Sequence, residues 1–90
     1  MSQRRNQLEI VYDILQAVAD KGGVIRPTHL LYKSNLSHAR MKEYIDQLSG
    51  KGMLTTTEKA GKQHFAITEQ GLKFLVDYKK VREFTEAFGL

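Results

Sequence analysis

Apolar residues recur along this chain at helical spacing in three long stretches and alternate in one short region. Leu8, Val11, Leu15 and Val18 form one helical stripe, and Ile10, Ile14 and Ala17 form its neighbour. The joint face is wider than a helix covered from one side needs. It predicts a first helix from about Gln3 to Asp20, buried from two sides. Lys21-Gly22-Gly23 ends it with a base in the last turn and glycines that accept left-handed dihedrals. Val24-Ile25-Arg26 is too short for an independent strand and is expected to add a third strand to a hairpin further on. Pro27 suits a first helical position, where its missing N–H costs nothing. The second helix is expected to reach about Lys33, with Leu30 and Leu31 inward. Ser34-Asn35-Leu36 then makes a turn, with Asn35 left-handed and Leu36 dropping into the core.

Ser37 is a good N-cap for a third helix. Met41, Ile45 and Leu48 follow i, i+4, i+7 spacing and are predicted to face the core, with Tyr44 at the border. Ser37, His38, Arg40, Glu43 and Gln47 fall on the other side, and Lys42 and Asp46 on a flank. Gly50 and Gly52 close the helix, which spans about 37–51. Met53 to Thr57 is rich in β-branched residues. Glu58-Lys59-Ala60-Gly61-Lys62 reads as a polar turn, and Gln63 to Ile67 alternates with Phe65 and Ile67 on one face. Thr68 caps a last helix reaching about Phe88. Leu72, Leu75 and Val76 are expected to close the core. Phe74, Tyr78, Val81, Phe84 and Phe88 recur at three- and four-residue steps as an outer stripe. Such a helix is ~30 Å long, more than a small domain covers. Leaving the stripe in water forfeits ~25 cal/mol per Å². The stripe is therefore expected to meet the same helix, or the first helix, of a second chain; folding back on its own domain is the alternative.

The order helix, turn, helix, hairpin predicts a mainly α fold with a small β-hairpin: a winged helix-turn-helix of about four helices and a two- to three-stranded wing sheet. Residues 1–90 make one domain, with 68–88 as the long dimerisation helix. This order places one helix for the DNA major groove. Charge sharpens the picture. The chain carries +4 overall, and residues 21–62 hold eight bases against three acids, leaving a slight acidic excess elsewhere. The positive excess coincides with the motif, where phosphates are expected.

Asn35 to Ile45, the spacing to Leu48, Lys51-Gly52-Met53-Leu54 and Ile67-Thr68-Glu69-Gln70-Gly71 resemble small archaeal winged helix-turn-helix proteins. That family includes transcriptional regulators and a dimeric chromatin-associated protein. The likeness runs from Tyr12 to about Tyr78. It implies that the C-terminal helix pairs antiparallel with a partner's. It also implies groove-facing positions at Ser37, His38, Arg40 and Glu43, and wing contacts from Lys59 and Lys62. Glu43 departs from the polar or basic residue usual there. It could accept from a cytosine amino group or repel phosphate.

Base contacts are thus expected from Ser37, His38, Arg40 and Glu43. Phosphate contacts are expected from Arg26, Thr28, Lys33, Lys42, Lys59 and Lys62. Plainer readings stand beside these: Arg40 pairing with Glu43, solvated lysines on helix and hairpin, and Arg4 and Arg5 as a flexible arm or a frayed terminus. Acidic Glu43 and Asp46 beside Ala39 also fit a protein-docking face. His29, His38 and His64 lack ligand spacing, so no metal is expected. Ser34, Ser37 and Ser49 lack a nucleophile elbow, and Gly22-Gly23 is a helix stop, so neither an enzyme nor a cofactor is expected. Tyr12, Tyr32, Tyr44 and Tyr78 read as core or interface rings. The absence of cysteine and of a membrane-length apolar run fits a cytoplasmic protein without a membrane partner, nucleoid-associated if it binds DNA; no small-molecule substrate is evident, and a small-molecule effector is left open. Glu9, Asp13 and Gln16 interrupt the first apolar region and argue against a signal peptide.

Overall fold

A computed structural model describes residues 5–90. Helix α1 (Gln7–Asp20) begins four residues later than the periodicity suggests. Asn6 stops it: its side chain accepts from the Glu9 N–H and the Glu9 carboxylate accepts from the Asn6 N–H, both at 2.8 Å. This reciprocal pair satisfies two donors that the first turn leaves open. Ile10, Val11, Ile14, Leu15 and Val18 are buried, and α1 packs on α2 (Pro27–Ser34), α4 (Glu69–Ala87), β1 (Val24–Ile25) and β3 (Lys62–Ile67). The expected covering from two sides is present. Leu8 is the exception on its stripe, 55% exposed in the first turn. Gly22 and Gly23 take φ of 83° and 92° and turn the chain into β1.

Arg5 is neither arm nor frayed end. Its guanidinium donates to Asp13 and to the Ser34 carbonyl, each at 2.9 Å, tying the start of α1 to the end of α2. Arg4 lies outside the described residues. Ser34 is itself buried and donates to the Leu31 carbonyl at 3.2 Å. Asn35 ends α2 at φ 57°, the left-handed conformation expected of it. Leu30 is fully buried, whereas Leu31 and Leu36 are half-buried. Tyr32 is no core ring: it is 89% exposed, on the side of α2 opposite Leu30.

Helix α3 (His38–Gly50) has Ser37 and Lys51 as its caps. Its Met41, Tyr44, Ile45 and Leu48 join the core with Ile25, Leu54, Phe65 and Leu75. The sheet is antiparallel in the order β1-β3-β2, with β2 spanning Leu54–Lys59. Ile25 lies opposite Phe65, and β2 and β3 pair from Leu54–Ile67 out to Lys59–Lys62. The polar turn is therefore shorter than 58–62. Glu58, Lys59 and Lys62 belong to strands, leaving Ala60 and Gly61 as the loop.

A joint between β2, β3 and α4 fixes the last helix. Thr68 Oγ1 donates to the Gly52 carbonyl at 2.6 Å and accepts from the Gly71 N–H at 3.1 Å, while the Thr68 N–H donates to the Met53 carbonyl. A Cβ on Gly71 would lie 2.5 Å from the Met53 carbonyl oxygen and 2.7 Å from Ile67 Cγ1. This close approach sets which line of α4 faces inward: Gly71, Leu75 and Tyr78, flanked by Phe74. The expected closure by Leu72 and Val76 does not occur; they are 45% and 53% exposed. Phe74 and Tyr78 are half-buried and, within one chain, turn toward their own domain. Tyr78 meets Tyr12 of α1 at 5.2 Å between ring centroids and stacks on Phe74 at 5.6 Å, and Arg82 lies 5.5 Å over the Tyr12 ring. Lys73 donates to Asp77 one turn on and holds that exposed carboxyl below its ordinary range. Past the Arg82–Tyr12 contact the helix runs on into solvent, stretching the molecule to 48 × 30 × 22 Å.

Gly71→Ala tests the joint. Alanine improves helix propensity by ~1 kcal/mol, but the clash with backbone forces α4 outward at a cost of about 1–3 kcal/mol. Urea unfolding is expected to give a net loss of stability. A gain would show that the joint is loose.

Candidate nucleic-acid interface

The buried edge of α3 leaves Ala39, Lys42, Glu43 and Asp46 facing outward, all exposed. Ser37 Oγ accepts from the Arg40 N–H at 3.2 Å and starts the helix at the surface. The first turn of a helix carries N–H groups without intrahelical partners and a partial positive charge. His38 and Arg40, grouped on one side by the sequence reading, are split by the fold. Two helical residues apart is ~160° around the axis. His38 lies toward the wing, and Arg40 lies toward α1.

The two flanks have different surroundings. On the wing side, a cleft of about 500 Å³ is lined by His38, Lys42, Asp46 and Ser49 of α3 and by Thr56 and Gln63 of the sheet. Lys42 donates to Asp46 at 3.2 Å along the helix, and both side chains are largely exposed. On the α1 side, Arg40, Glu43, Tyr44 and Gln47 share a shallow depression of about 160 Å³ with Gln7. The Arg40 guanidinium lies 5.7 Å over the Tyr44 ring and reaches its hydroxyl at 3.4 Å. It leans on Tyr44, one turn on, and not on Glu43. The i, i+4 spacing of Arg40 and Tyr44 was the available signal for this contact.

The wing ends in a two-residue turn with φ of 54° at Ala60 and 74° at Gly61. Positive φ at both central residues marks the mirror-image turn whose twist suits a hairpin. Lys59 and Lys62 face each other directly across its end. Like charges in that register repel, so the tip concentrates positive potential at some cost to the hairpin. Arg26 donates to the Gln63 carbonyl at 2.7 Å and braces the wing against the start of α2. Local sequence carries no sign of this contact between residues 37 positions apart. Thr28 and Lys33 are exposed near opposite ends of α2 and line neither depression.

Among the described residues, no group of three or more His, Cys, Asp or Glu could hold a metal ion, and no helix is long and apolar enough to cross a membrane. Of the three serines weighed as nucleophiles, Ser34 is a core residue bonded to backbone and Ser37 is a helix cap.

A family model described as winged helix-turn-helix matches residues 4–86. No curated protein sequence matches. Among solved structures, the fold is similar to Sso10a-2, a DNA-binding protein from Sulfolobus solfataricus. That match has a TM-score of 0.73 and 24% identity over 94% of this chain and 90% of that one. BpsR of Bordetella bronchiseptica, whose DNA binding is regulated by 6-hydroxynicotinic acid, superposes with a TM-score of 0.72 and 15% identity over 87% of this chain. A Pseudomonas aeruginosa protein described as a candidate transcriptional regulator gives 0.77 and 14% over 96%. This chain covers only 58% and 61% of the latter two, and identities this low speak for the fold alone.

Ala60 holds a conformation that asparagine adopts more readily. Ala60→Asn, giving the favoured Asn-Gly turn, is expected to raise stability by ~0.5–1 kcal/mol. Thermal unfolding that rises by a few degrees would match; a fall would mean that the tip is not held in this turn.

Proposed function

The chain belongs to the winged helix-turn-helix family, and on that footing we propose that it is a homodimeric protein that binds double-stranded DNA as a transcriptional regulator. The observation that carries this reading is α3, held by its buried edge, with a basic wing tip beside it. The major groove is ~12 Å wide and admits such a helix. In that position Ala39 and Glu43 face the floor, while His38 and Arg40 face opposite walls. The split of those two residues then serves the contact.

Sequence reading is assigned to Ser37, His38, Arg40 and Glu43. Arg40 offers the bidentate geometry for guanine, and Glu43 an acceptor for a cytosine amino group. Phosphates fall to Lys59 and Lys62 at the wing tip, and to Arg26, Thr28, Lys33 and Lys42 around it. Lys42 would exchange Asp46 for a phosphate, and Arg26 would keep one nitrogen on Gln63. Pairing of two chains is supported by Val81 and Phe84, exposed on the protruding half of α4, and by Phe88, exposed at its C-cap. That Sso10a-2 is described as DNA-binding agrees with this reading.

One observation favours a second reading. Glu43 and Asp46 put acid on the outward face of α3, as a protein-docking surface would. Charge reversal at Arg40 and Lys62 separates the two, because only the DNA reading loses affinity for a duplex.

Fluorescence titration against duplex DNA at about 50 and 200 mM salt is expected to give affinity that falls steeply with salt. Lys59→Gln and Lys62→Gln should each lower the slope of log K against log salt by ~1. Arg40→Ala should cost ~1–3 kcal/mol on a selected site and little on random DNA. Selection yielding a consensus supports regulation, and a featureless pool supports architectural packaging. No binding at either salt rejects the proposal.

A further inference from the structure

One side of α4 carries two unlike features. At its start, Phe74 forms one wall of an apolar cavity of about 220 Å³, whose other walls include Leu8 and Val11 of α1, Leu48 of α3 and Met53. Past Tyr78, the same side carries Val81 and Phe84 into solvent, and Phe88 follows at the C-cap. Phe84 and Phe88 are 63% and 67% exposed and lean on each other at 4.9 Å. The first feature is a socket and the second a pair of knobs. Neither is covered by the described residues.

Their spacing relates them. Phe74, Val81 and Phe88 are separated by seven residues each. Seven-residue steps keep side chains on one line of a helix to within ~20° per step. Val81 is thus the midpoint of a line running from socket to knob, over ~21 Å. A two-fold axis at Val81 puts Phe88 of one chain on Phe74 of the other, and Phe84 on Tyr78. Parallel pairing would set knob against knob and socket against socket, and would crowd both bodies at one end. The sizes agree as well, since an apolar cavity of ~150 Å³ holds a benzene ring.

We propose that the Phe88 ring of a second copy of this chain occupies the socket formed by Leu8, Val11, Leu48, Met53 and Phe74. This rests on the homodimer reading and deepens it. Each dimer has two such sockets, both filled by the same symmetric contact. Leu48 ties the socket to the buried edge of α3, and Gln47 and Lys51 stand at the same cavity. Pairing of the chains therefore presses on the last turn of the helix assigned to DNA, and the dimer contact and the groove-facing surface share one rigid element.

The chain has no cysteine, so introduced thiols report cleanly. Three single variants are made: Leu8→Cys, Val81→Cys and Phe88→Cys. Under mild oxidation, Val81→Cys is expected to cross-link to itself across the two-fold axis. Leu8→Cys mixed with Phe88→Cys is expected to give a disulfide-linked pair at least tenfold above either variant alone. If Val81→Cys cross-links and the mixture does not, the socket assignment is wrong while the homodimer stands. If Phe88→Cys cross-links to itself, pairing is parallel and the socket assignment fails. If nothing cross-links and sedimentation shows monomers, the homodimer reading fails and takes the inference with it.

Discussion

The buried edge of α3, Met41 with Tyr44, Ile45 and Leu48, fixes the rotation of that helix about its own axis. Burying each such side chain is worth ~1.5–3 kcal/mol. Turning the helix by one residue would expose much of that edge. The loss would rival the 5–15 kcal/mol that typically holds a small domain together. The outward face is therefore a consequence of packing against α2 and β2. Lys42, Glu43 and Arg40 point where the core leaves them. Local contacts then refine the aim, Tyr44 holding Arg40 and Asp46 holding Lys42.

The same logic extends to the flanks. The wing must stand at a set height beside α3 for its lysines to serve one surface. Arg26 braces it at Gln63, and β1 borders β3 from the other edge. The Thr68 joint pins the base of the wing to the first turn of α4, with Gly71 admitting the Met53 carbonyl. Wing, α3 and protruding helix thus share one small body. A partner that grips α4 also positions α3.

The architecture was legible because its signals are local. Pro27, Asn35, Ser37 and Thr68 each mark a boundary through their own chemistry, and the structure places each where that chemistry predicts. The start of α1 was legible too, in the spacing of Asn6 and Glu9, yet periodicity alone carried the helix back to Gln3. What escaped reading depends on contacts distant in sequence. Periodicity finds two apolar lines on α4 but does not say which one meets the core. That choice is made by Gly71 against Met53, and it leaves Leu72 and Val76 outside. Arg26 looked free for phosphate because its partner is a wing carbonyl. Ala60 at positive φ runs against residue preference, so the turn looked longer than it is. The opposition of His38 and Arg40 followed from helical angle alone and needed only arithmetic.

The most direct test is an NMR titration of the labelled protein with a duplex, following every backbone amide. The account predicts that the largest shifts fall on 38–43 and 59–62, with the buried turns of α1 around Ile14 and Val18 nearly still. Shifts confined to α1 and α4, with α3 unmoved, would contradict it.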